Sequence, residues 1–154
     1  MNALDATAAL DPLASWSPWI QFADALSAAP RLPGVYAARE GTAGQLVYVG
    51  MAGERRGEGL RGRLAVYQSG KALASGLGEA VFDRALADAT WVAERLIEIS
   101  ASQPRRATDW GRAAFVRADL HVRWAITEDR SGAVALERAC LDTLRDHRLW
   151  NRRR

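Results

Sequence analysis

The sequence predicts an α+β fold, a small and mainly antiparallel three-stranded sheet flanked by helices. Three observations carry this expectation. The runs "GVYAARE" and "QLVYVGM" are short, β-branched and aromatic, and the "GTAG" between them is turn chemistry, so they read as a hairpin. "LHVRWAIT" alternates apolar and polar residues and supplies a third strand, with Leu120, Val122, Trp124 and Ile126 on its buried face. Most of the remaining chain has helical spacing.

Taken in order, Ser17 before Pro18 is an N-cap and first-turn signal, so a helix is expected over Pro18 to Ala28, within a helical N-terminal extension of residues 1–30. "RLPG" ends it, and the hairpin follows. "GLRGRLAVYQSG" predicts a short helix stopped by Gly70. "GEAVFDRALADATWVAERLIEISAS" predicts a helix in two pieces, ended by Pro104. "QPRRATDWGR" is the least regular stretch and is expected to be a loop. After the third strand, Ser131 is placed to cap a last helix running to about His147.

At 154 residues the chain suits one domain with a real core. Hydrophobic residues at 49% and charged residues at 25% fit a globular protein, and no apolar run is long enough to span a membrane. The N-terminus has no basic region before an apolar one, so no signal peptide is expected. A single cysteine, Cys140, excludes an internal disulfide and suits a reducing compartment, with the cytoplasm as the expected location.

The net charge is only +3, but arginines cluster. Arg55, Arg56, Arg61 and Arg63 follow the hairpin, and Arg145, Arg148, Arg152, Arg153 and Arg154 crowd the C-terminus. Such clusters are the footprint of a phosphate-binding surface. A general preference for arginine over lysine explains them equally well, since Lys71 is the one lysine among 21 basic residues.

The hairpin is nearly its own mirror: Gly34 and Tyr36 open it, Tyr48 and Gly50 close it. Residues two apart on a strand share a face. If Tyr36 opposes Tyr48, two phenols sit side by side with bare backbone beyond each. A strand glycine marks close approach of another group, while an aromatic cross-strand pair also stabilises a hairpin with no further role. The register decides whether both phenols share a face. A two-residue turn at Thr42-Ala43 sets Tyr36 against Val49 and separates them, so a shared face requires an odd-length loop or a bulge between Ala37 and Val47.

Two helices add candidates. Arg63 and Tyr67 are four apart and lie on one helix face, where Arg63 is either a phosphate fork or a solvated charge. Glu137 falls in the apolar stripe of Val134, Cys140, Leu141 and Leu144. A carboxylate there is costly unless it is paired, metal-bound or rotated out of the stripe. His121 is on the outer face of its strand, and His147 is near a helix C-terminus, where positive charge is favoured.

The ordered set "GVY", "YVG", "RLAVY", "LERACL" and "LWN" resembles the GIY-YIG nuclease superfamily over roughly Gly34 to Asn151. The resemblance implies a metal-dependent endonuclease acting on DNA. Its catalytic residues would be Tyr36, Tyr48, Arg63, Tyr67, Glu137 and Asn151, with Gly34 and Gly50 as structural motif positions. Glu137 would hold Mg2+ or Mn2+, and products would carry 5′-phosphate and 3′-hydroxyl ends. Asn151 would hold the chain end or a phosphate. Arg55, Arg56, Arg61, Arg152 and Arg153 would contact DNA. The long stretch from Arg63 to Glu137 implies a helical insertion at about residues 77–118 of a single domain. Met51 stands where many members carry a lysine, which favours an alternative: a catalytically degenerate nucleic-acid-binding protein on this fold. A further alternative is an interaction module whose arginine surface meets an acidic protein.

Overall fold

The computed structural model describes residues 2–101 and 104–152. It has the expected α+β class, but the antiparallel sheet has four strands, in the order β1-β4-β2-β3. The strands are β1 Ile20–Gln21, β2 Gly34–Glu40, β3 Leu46–Ala52 and β4 Leu120–Ile126. Helices are α1 Ala3–Leu10, α2 Ala25–Ala28, α3 Gly59–Gln68, α4 Gly76–Leu86, α5 Ala89–Ala101, α6 Ala107–Ala118 and α7 Arg130–Thr143. Among the described residues no helix is long and apolar enough to cross a membrane.

The chain divides into two compact units: Met1–Ala65 with Asp119–Arg154, and Val66–Ala118. The first contains the whole sheet. Val35, Ala37, Leu46 and Val49 form its core with Ala6, Leu10, Cys140 and Leu144, so α1 and α7 cover one sheet face. Burial of an apolar side chain there contributes about 1.5–3 kcal/mol. The second unit is helical. There Tyr67 is fully buried, stacks on Phe115 with ring centroids 6.0 Å apart, and accepts a hydrogen bond from the Leu77 amide.

Several local expectations are corrected. The residues after Pro18 do not start a helix: Ser17 is not an N-cap, because its hydroxyl accepts from the Trp124 amide while its own amide donates to the Trp124 carbonyl. The chain there runs along the edge of β4 and becomes β1. A helix lies earlier, at Ala3–Leu10, and of the expected span only the end is helical, a 3-10 turn at Phe22–Asp24 and α2. Part of "QPRRATDWGR" is helical, because Asp109 accepts from the Arg106 amide and pairs with Arg112 at the start of α6. The cap of α7 is Asp129, whose carboxylate accepts from the Gly132 amide, not Ser131.

The third predicted strand is buried on both faces over Val122 to Ala125, while Ile126, expected on the buried face, is 53% exposed. Arg123, on the supposedly outer side, is 5% exposed. Its guanidinium lies 4.6 Å from the Trp16 ring centroid and 4.9 Å from that of Trp19, and bonds Asp11 and the Thr7 carbonyl. A buried cation needs such partners, and they come from the N-terminal segment. Arg39 lies over the other end of this cluster, 4.3 Å from Trp19. Burial, reinforced by the neighbouring Arg123, lowers its pKa.

Candidate functional site

The hairpin register answers the question raised by its mirrored motif. At the loop end Arg39 pairs with Leu46, the register in which Tyr36 would meet Val49. Between Ala38 and Arg39 the register shifts, Ala38 pairs with Tyr48, and the extra residue on β3 is Val47. This bulge moves every later pair by one, so Tyr36 faces Gly50 and not Val49. Both phenols consequently share a face. They are diagonal neighbours rather than a direct pair, with centroids 6.1 Å apart and planes inclined by 20°.

Each motif glycine has a steric reason. A Cβ on Gly50 would lie 2.4 Å from the Tyr36 hydroxyl oxygen and 2.6 Å from Cζ, so the Tyr36 ring lies directly over the Gly50 backbone. A Cβ on Gly34 would lie 2.2 Å from the Ala125 carbonyl oxygen and 2.8 Å from Leu60. Gly34 thus admits both the neighbouring strand and helix α3. Since Gly34, Tyr36, Gly50 and Tyr48 share a face, α3 approaches the sheet from the phenol side.

Leu60 and Leu64 are buried on α3, and Arg63 lies on the flank of that stripe beside Leu60, half-buried with its Nε enclosed. The helix start is fastened by the preceding loop: the Leu60 and Arg61 amides donate to the Leu32 and Pro30 carbonyls. Arg61 itself, expected on the nucleic-acid surface, donates its Nε–H to the Ala29 carbonyl. It therefore braces this loop. Arg55 and Arg56 are exposed in the β3–α3 connection, with φ of 48° and 55°. This left-handed backbone costs about 1–2 kcal/mol per non-glycine residue.

Glu137 enters from the other side of the sheet. Helix α7 buries Ala133 and Cys140, with Leu144 buried at its C-cap, while Val134 is 37% exposed, so the apolar stripe is rotated from the expected one. Glu137 lies half-buried on its flank. Burial, with a smaller contribution from the Glu137 charge, pushes the Cys140 thiol up to about 11, against an opposing pull from Arg123. Met51, where the resemblance looks for a lysine, packs against the α7-side core.

Asn151 is committed to the fold. Its carbonyl oxygen accepts from the Val49 amide at 3.1 Å and its amide donates to the Val49 carbonyl at 2.6 Å. The Trp150 amide donates to the Val47 carbonyl, and His147 Nε2 is 2.7 Å from the Leu46 carbonyl oxygen. Residues 147–151 thereby cover the open edge of β3, a surface that would otherwise invite pairing. His147 serves this edge, not the helix dipole. Neither role shows in sequence, because the partners are strand backbone about a hundred residues away. His121 is half-buried on β4. Arg152 is exposed, and Arg153 lies outside the described residues.

The structure thus gathers Gly34, Tyr36, Tyr48, Gly50 and the Arg63 helix on one face and puts Glu137 on the helix of the other. It assigns Tyr67 to the core of the second unit, and Asn151 to a strand edge. Among the described residues no three or more His, Cys, Asp or Glu side chains converge into a metal-binding group. The cluster that sequence reading missed is Arg39, Arg123, Trp16 and Trp19. Its one available signal was an arginine inside an alternating strand. No protein-family model matches the chain, and neither does any curated protein or solved structure.

Proposed function

We propose that this chain is a divalent-metal-dependent endonuclease that hydrolyses DNA phosphodiester bonds. The observation that carries the reading is the Tyr36 ring seated on Gly50 and stacked with Tyr48, on the sheet face that α3 and Arg63 approach. A bulge brings those phenols to one face, Gly50 leaves room for the Tyr36 ring, and Gly34 admits β4 and α3. Simple hairpin stabilisation asks for neither glycine.

Arg63 would donate to the non-bridging oxygens of the scissile phosphate, where preorganised charge has its largest effect. Tyr48 is the best placed of the three tyrosines to orient the attacking water, since it is 8% exposed whereas Tyr36 and Tyr67 are wholly enclosed. A phenol ordinarily titrates near pH ~10, so Tyr48 would position water rather than remove its proton unless a neighbouring cation lowers that value. Tyr36 would act through its stack on Tyr48. Asn151 would keep β3, and with it Tyr48, in place.

Glu137 is the residue that would hold Mg2+ or Mn2+. A single half-buried carboxylate suits a hard cation that keeps most of its water, and would not suit zinc, which takes several protein ligands. Such a cation, when bound, neutralises charge at the phosphorane and stabilises the leaving oxygen. Because α7 and the phenols lie on opposite faces, a phosphate shared by Glu137 and Arg63 would be reached from the rim of the sheet rather than over its centre. The exposed Arg55 and Arg56, with Arg152 and Arg153 of the tail, would supply non-specific phosphate contacts.

A second reading is a nucleic-acid-binding protein on a catalytically degenerate version of the fold. It is favoured by Met51, a core side chain at the lysine position, and by the internal use of the Tyr67 hydroxyl. The deciding experiment is cleavage of plasmid, single-stranded and branched DNA with magnesium or manganese, by wild type and Glu137→Gln. The endonuclease reading expects cleavage by wild type and a loss of roughly a hundredfold or more in the variant, at unchanged melting temperature. Equal cleavage by a well-folded Glu137→Gln removes Glu137 from the mechanism. DNA binding without cleavage by either protein selects the second reading.

A further inference from the structure

At the sheet end where β4 finishes, a cavity of about 330 Å³ opens between Ser15, Trp16, Ser17, Trp124 and Ile126. That volume lies at the small end of ligand-sized clefts, which run about 300–1,000 Å³. Trp16 is held at its indole and Trp124 at its backbone. Trp16 donates its Nε1–H to the Leu10 carbonyl and stacks under Arg123. Trp124 is bonded through both backbone groups to Ser17. A rigid aromatic wall such as Trp16 stacks a planar ligand at little cost in side-chain entropy.

One wall of the cavity belongs to the phenol face, while Trp16 packs on the α7-side core of the other. Trp124 pairs with Tyr36 across β2–β4, and Ile126 pairs with Gly34. Gly34 in turn pairs with Ala52, so the β3–α3 connection with Arg55 and Arg56 leaves from this same end of the sheet. The carboxylates beside those arginines have other partners: Glu54 accepts from the Arg130 amide, and Glu58 pairs with Arg31. The left-handed backbone at 55 and 56 carries two exposed guanidiniums past them.

We propose that this cavity receives one unpaired nucleobase of a DNA strand, stacked against Trp16 and bordered by Trp124, while Arg55 and Arg56 hold phosphates of the same strand. A paired base is stacked within its duplex and cannot offer its face to an indole, so the site selects single-stranded or locally opened DNA. Base–aromatic stacking tolerates any sequence, because every base has a π-face. The inference rests on the nucleic-acid reading above and adds to it a preference for an unpaired base next to the tyrosine face.

The test measures metal-free binding of the full chain to three probes by fluorescence anisotropy: oligothymidylate, its duplex with oligoadenylate, and a deoxyribose-phosphate chain of equal length without bases. Oligothymidylate should bind roughly tenfold or more tighter than the baseless chain, the size of one base–aromatic stack, and should quench tryptophan emission. Ser15→Leu, a neutral change at an exposed position on the cavity wall, should abolish that difference and leave the baseless chain bound as before. Arg55→Ala with Arg56→Ala should weaken all three probes alike. Equal binding with and without bases, unmoved by Ser15→Leu, would overturn the cavity proposal and leave the nucleic-acid reading standing. Binding to none of the probes would overturn both.

Discussion

Substituting Gly50 by alanine tests whether the mirrored motif is one packed unit. The added Cβ would lie 2.4 Å from the Tyr36 hydroxyl oxygen, 2.6 Å from its Cζ and 2.9 Å from Tyr48 Cε1. Ordinary carbon contacts are about 3.5–4.0 Å, so the Tyr36 ring must shift by roughly 1 Å. Tyr36 is fully buried, with Trp124 paired beside it on β4, so the shift must push other packed groups. Overpacking of this kind costs about 1–3 kcal/mol. Leucine at position 36 removes the ring, and in that background the alanine methyl enters vacated space. There the substitution should be neutral, or stabilising by about 0.5–1 kcal/mol, since alanine loses less backbone entropy than glycine in a strand.

The assay is a double-mutant cycle in urea over wild type, Gly50→Ala, Tyr36→Leu and the pair. Costs that add to within about 0.5 kcal/mol would refute the packing argument, because they would mean the Tyr36 ring does not occupy the space over Gly50. If wild type cleaves DNA, Gly50→Ala should also slow cleavage more than it weakens DNA binding, since it displaces the phenols and leaves the arginines untouched.

Two further outcomes follow from the rest of the first unit. Asn151→Ala removes both bonds to Val49 and should cost about 1–3 kcal/mol. The Val49 amide should lose hydrogen-exchange protection while that of Ala37, inside the sheet, keeps its own; unchanged protection at Val49 would mean the tail does not cover the edge. Cys140 tests linkage, because its thiol is raised in the folded state to about 11. Its contribution to stability is then full below the ordinary thiol range and is lost as pH climbs through that range towards 11. Denaturant titrations from neutral to strongly alkaline pH should show this decline in wild type and a flatter curve in Cys140→Ala. Equal curves would deny that burial disfavours the thiolate.

What could be read in advance depended on how far away each partner lies. The hairpin, β4, α3 and the split between α4 and α5 follow from residue period and nearby turn signals, and they appear where the pattern places them. Ser17 did not behave as its neighbours suggest, because a Ser-Pro pair reads as a helix start only if the hydroxyl stays with the local backbone. Here the Trp124 amide, 107 residues away, takes it. Arg123 follows the same logic: alternation assigns it to solvent, but two tryptophans and an aspartate from the N-terminal segment enclose it. Asn151 carried the right residue type for a hydrogen-bonding duty, and only the strand edge could say that the duty is structural.

The tyrosine pair lies between these cases. Sequence alone stated the condition for a shared face, an odd loop or a bulge, but could not say which the chain uses. Five residues, 41–45, lie between the strands, and the loop-end pair of Arg39 with Leu46 still holds the register that would separate the phenols. The loop is therefore not the device. A single extra residue at Val47 changes the facing of everything beyond it, and Gly50 is the position at which that change would fail with any larger residue. Bulge and glycine are one requirement seen at two places. Shifting the strand by one residue brings Tyr36 over position 50, and only a residue without a side chain can lie beneath it.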